Sequence, residues 1–63
     1  MSKQPVMNAK EAEQVLLRAG FVLIRTKGSH RIYQKQDARI IIPFHGKKDL
    51  HPKIVKQVIE VTE

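Results

Sequence analysis

No cysteine occurs in the 63 residues, and that limits the fold more than any other feature. A chain this short buries only about 60 % of the surface that its unfolded form exposes. Small domains often make up the shortfall with disulfides or a thiolate-bound zinc, and neither is open here. The fold must rest on packed apolar side chains, helped by any partner that binds only the folded form. Apolar residues at 41 % and charged residues at 29 % suit a globular chain. One domain over residues 1–63 is expected, with 1–7, which contains Pro5, as a flexible polar lead-in. No apolar run approaches the roughly 20 residues that span a bilayer, and Met1–Met7 has no segment of signal-peptide type. A cytoplasmic protein without membrane contact is therefore expected.

The pattern predicts the order α-β-β-β-α. Asn8 can cap a helix, with Glu11 three residues on completing a variant capping box. Ala12, Val15, Leu16 and Ala19 then form one apolar stripe, while Lys10, Glu13, Gln14 and Arg18 take the wet side. Gly20 stops the helix, and Phe21 can fold back onto its end. Phe21–Lys27, His30–Lys35 and Arg39–Ile42 read as strands, separated by Gly28-Ser29 and by Gln36-Asp37-Ala38 and closed by Pro43. Connections this short imply an antiparallel meander. Both parities of the first strand are apolar, so its inward face stays open at this stage. Phe44 to Leu50 is a basic loop; His51 is the expected cap and Pro52 the first position of a second helix. Ile54, Val55, Val58 and Ile59 give that helix its apolar face, to about Val61. The expected class is α+β, a three-stranded antiparallel sheet with both helices on one face.

A formal net charge of +6 and a pI near 10.1 favour a polyanion or an acidic protein as partner. The segment Arg25-Thr26-Lys27-Gly28-Ser29-His30-Arg31-Ile32-Tyr33 sets a histidine at a turn-to-strand boundary among cations. Those residue types suit RNA cleavage. A histidine, with an ordinary pKa near 6.5, can take the proton of a ribose 2′-hydroxyl at cellular pH. Gly28 lets backbone approach a phosphate, Ser29 can donate a hydrogen bond, and Arg25, Lys27 and Arg31 can offset charge on the phosphoryl oxygens. A Gly-Ser turn before a histidine is also a common structural feature.

Gly20-Phe21, Arg25, Gly28-Ser29-His30, Tyr33, and Pro43 with His45 together resemble the HicA toxin family, from about Ala9 to the end of the second helix. The resemblance implies a fold like the double-stranded-RNA-binding domain and endonuclease action on messenger RNA. It further implies a HicB-type antitoxin partner that covers the active site, and a catalytic role for His30. No cofactor is called for.

Other residues have two readings each. His45 can protonate the leaving 5′-oxygen, contact phosphate or cap its loop. Tyr33 can stack on a base or fill the core. Lys47 and Lys48, with Lys53 and Lys56, form either a phosphate track or a solvated face. The three histidines lack the spacing of a metal site. Two alternatives stand beside the nuclease: a non-catalytic binder of double-stranded RNA and a plain protein-interaction module.

Overall fold

The structure, a computed structural model, describes residues 6–63. Its elements follow the expected order: α1 (Ala9–Arg18), β1 (Val22–Lys27), β2 (His30–Lys35), β3 (Ala38–Pro43) and α2 (Pro52–Thr62). The sheet is antiparallel in the order β1-β2-β3. No helix among the described residues is long and apolar enough to cross a membrane.

Local chemistry sets the helix ends. Asn8 Oδ1 accepts the Glu11 backbone N–H, and the Glu11 carboxylate accepts that of Asn8, both at 2.9 Å. These two bonds satisfy donors that an isolated helix leaves open. At the other end Gly20 takes a φ of 101°. That lets Gly20 N–H bond Leu17 O and Phe21 N–H bond Leu16 O, the paired closure of a Schellman motif. For α2, His51 Nδ1 accepts the Lys53 N–H at 3.1 Å, so the expected cap is in place.

Residues 1–5 of the expected lead-in lie outside the described residues. Its last member departs from expectation: Met7 is half-buried against the core, and its carbonyl accepts the Leu50 N–H at 2.9 Å. Asn8 and Asp49 form a bridge beside it. The entry to α1 is thus fastened to the β3–α2 loop.

The core is Ala9, Ala12, Leu16, Phe21, Tyr33, Ile40, Ile42, Leu50, Val55 and Val58. Val15 was expected in the buried stripe but stands at its exposed edge. Ala38, expected in a connection, pairs with Lys35 instead. Gln36-Asp37 alone makes the turn, with Gln36 at a φ of 52°. Both helices lie over β3, leaving β1 as an edge strand exposed along its whole length.

Register then decides which residues share a face, because directly opposed residues point the same way and alternate along each strand. Tyr33, Ile40 and Ile42 are buried, so their rows, Leu23–Tyr33–Ile40 and Thr26–Arg31–Ile42, face the helices. The open face carries Val22–Gln34–Arg39, Arg25–Ile32–Ile41 and Lys27–His30–Pro43. Between Leu23 and Arg25 the pairing shifts by one residue at Ile24. Without that bulge Arg25 would share the face of Leu23. The extra residue re-aims Arg25 and Lys27 onto the open side, the face of His30.

Candidate functional site

His30 opens β2 immediately after the Gly28-Ser29 turn. The two-residue turn needs a positive φ at its first position, and Gly28 supplies it at 60°. The space around Gly28 is empty, with nothing within 4 Å of where a Cβ would sit. Gly28, Ser29 and His30 are all exposed. Lys27 stands directly across the β1–β2 ladder from His30, and Arg25 lies one row along on the same face. Cross-strand neighbours of this kind bring Cβ atoms to about 4.5–5.5 Å. Four expected residues, Arg25, Lys27, Ser29 and His30, therefore gather at one end of the open sheet.

The other side of this end is built by the segment after β3. Pro43 pairs with His30, and Phe44 donates its N–H to the Ser29 carbonyl at 2.6 Å. The chain then turns so that the His45 ring lies 6.3 Å from that of His30, nearly perpendicular at 86°. Both imidazoles are exposed. Two groups able to give or take a proton thus stand beside one another on a cationic surface. Lys47 and Lys48 follow on the same exposed loop.

Two of the residues expected to contact RNA point away from the open face. Tyr33 is fully buried, so its ring cannot stack on a base; on the inward parity of β2 it fills the core. Arg31 also points to the helix side. Its Nη1 donates to Glu13 Oε2 at 3.0 Å, and its guanidinium lies over the Phe44 ring at 4.1 Å from the centroid. The Tyr33 hydroxyl donates to the same Glu13 oxygen. Burial pushes the Tyr33 phenol well above its ordinary value, and the bond to Glu13 adds to the rise. Glu13 likewise raises the Arg31 guanidinium. Arg31 is thus a brace: it ties α1 through Glu13 to Phe44, next to His45.

Three participants escaped the sequence reading. Glu13 counted among solvated residues because its partners lie 18 and 20 positions away. Arg39 joins the open face and donates to Gln34 Oε1 at 3.2 Å. Asp49 lines a cavity of about 250 Å³ with Pro43, His45, Lys48, Leu50, His51 and Ile54. Among the described residues, no three of His, Cys, Asp or Glu gather closely enough to hold a metal ion.

No curated protein matches the chain in sequence. A family model, described as the HicA toxin of bacterial toxin–antitoxin systems, matches residues 9–63, from the first residue of α1 to Glu63, the residue after α2. That span takes in the whole sheet and both imidazoles. The chain belongs to the HicA toxin family.

Proposed function

We propose that this toxin is an endoribonuclease that cuts messenger RNA on the open face of its sheet, with His30 as its general base. The observation that carries this reading is the exposed His30–His45 pair beside Lys27 and Arg25. In the proposed step His30 takes the proton of a ribose 2′-hydroxyl. The 2′-oxygen attacks the adjoining phosphorus, the bond to the 5′-oxygen breaks, and His45 in its protonated form gives that oxygen a proton. The products are a 2′,3′-cyclic phosphate and a 5′-hydroxyl end. Lys27, Arg25 and the donors of the Gly28-Ser29 turn offset charge on the phosphoryl oxygens, while Lys47 and Lys48 hold flanking phosphates. The nucleophile is internal to the substrate, so the step asks for no metal ion or other cofactor.

An antitoxin of HicB type is the protein partner in this reading. The open face and the β1 edge suit one: Val22, Leu23, Ile24 and Ile41 are 57, 44, 46 and 49 % exposed. An uncovered apolar edge strand is a ready surface for another chain. A partner seated there would close off His30 by exclusion. The non-catalytic duplex binder gains little support. Of the basic residues near α2, only Lys53 and Lys56 lie within it, whereas recognition across about 16 base pairs needs a richer cluster.

Induced expression of wild type beside His30→Ala tests the proposal, with growth and RNA integrity followed together. Growth arrest with fragmented messenger RNA is expected from wild type only. Equal arrest and equal fragmentation by the variant would remove His30 from the mechanism.

A further inference from the structure

The cavity behind His45 adjoins the proposed cleavage site and shares the His45 ring with it. Its lining, Pro43, His45, Lys48, Asp49, Leu50, His51 and Ile54, encloses about 250 Å³. That falls below the roughly 300–1,000 Å³ of sites for drug-sized ligands and suits one small heterocycle. Pro43, Leu50 and Ile54 supply apolar surface, and His45 contributes a flat ring shared with the His30 pair. Asp49 makes the lining unfit for a phosphate and fit for N–H donors. His51 Nδ1 already accepts the Lys53 N–H. In the neutral ring this puts the remaining hydrogen on Nε2, a donor. Apolar walls with one acceptor and one donor match the faces and edge of a base.

We propose that this cavity seats one unpaired nucleobase of the RNA, next to the phosphate held between His30 and His45, and that Asp49 reads its edge. The assignment rests on the nuclease reading, because His45 is the wall common to both sites. Asp49 favours guanine, whose N1–H and N2–H₂ are adjacent donors that one carboxylate can accept together. Lys48 stands at the lining to meet the phosphate attached to that nucleotide.

The test uses the full chain with each of the four nucleoside 5′-monophosphates, following the Leu50 and Ile54 methyl resonances. GMP is expected to shift them at concentrations about tenfold or more below those needed for CMP or UMP, the discrimination that paired hydrogen bonds to a base edge provide. Asp49→Ala, on an exposed side chain, is expected to flatten that ranking. Ile54→Phe, which fills the cavity and leaves the Leu50 methyls as the probe, is expected to abolish their shifts for every base; melting curves establish that both variants fold. The proposal is overturned if no nucleotide moves these resonances. It is overturned equally if Asp49→Ala keeps the wild-type ranking, or if only a protein partner moves the methyls. Failure of the nuclease reading looks different: guanine-selective binding would persist in a protein that cuts no RNA.

Discussion

Replacing Glu13 by alanine should cost this small domain much of its stability, although Glu13 looks like an ordinary solvated residue of α1. The reason is Tyr33, which is fully buried and whose hydroxyl donates to Glu13 Oε2. Removing the acceptor leaves a buried donor unpaired, at a cost of about 1–3 kcal/mol. Among the described residues no buried polar side-chain atom lacks a partner, so the variant would introduce the first. Global stability for 63 residues is about 3–9 kcal/mol. A loss near 2 kcal/mol is thus a sizeable share. In a domain of this size it lowers the melting temperature by roughly 8–16 °C. Glu13→Gln keeps an acceptor oxygen and should lose about half as much, since a neutral hydrogen bond is weaker than a charge-assisted one. Urea unfolding followed by circular dichroism measures both. An alanine variant within 0.5 kcal/mol of wild type, or a glutamine variant as unstable as alanine, would refute the reasoning.

Three further outcomes follow from the same geometry. The folded state holds the Tyr33 phenol above its ordinary value near 10, so the unfolded chain loses that proton first as pH rises. Stability should be intact below pH 10 and fall above it by up to about 1.4 kcal/mol per pH unit, a slope that Tyr33→Phe should remove from alkaline unfolding curves. Gly28→Ala meets no steric obstacle and should cost only the backbone term, about 1–2 kcal/mol for a left-handed residue, whereas Gln36→Gly should stabilise by about 0.5–1 kcal/mol; chemical denaturation reads both signs. Lys27→Ala should lower the salt slope of single-stranded RNA binding by about 0.7, and Arg31→Ala, on the opposite face, should leave it unchanged. Equal slopes for the two variants would contradict the assignment of faces.

Features written in adjacent residues were legible from the sequence. The Asn8–Glu11 box, the Gly20 stop, the His51 cap and the Gly28-Ser29 turn each depend on neighbours within a few positions, and each stands where the pattern puts it. What depends on register was not legible. Val22, Leu23 and Ile24 are apolar on both parities, so nothing local revealed the bulge that sends Arg25 and Lys27 to the face of His30. The partners of Glu13 on β2 were invisible for the same reason, as was the approach of His45 to His30. That approach needs Pro43 paired with His30 and Phe44 bonded to Ser29 before any ring can meet another. Family membership follows from the chain as a whole, whereas the division of labour among its side chains rests on these long-range contacts.

The central claim is that the exposed imidazole of His30 moves a proton in the breakage of RNA. Initial rates of cleavage of one single-stranded RNA by purified wild type and His30→Ala, with a melting curve for each, test it most directly. Because His30 is exposed, the two proteins should melt within about 2–4 °C of each other, a surface change being worth at most about 0.5 kcal/mol. The variant should cut about 10²–10⁴-fold more slowly. A folded variant that cuts at the wild-type rate would contradict the claim.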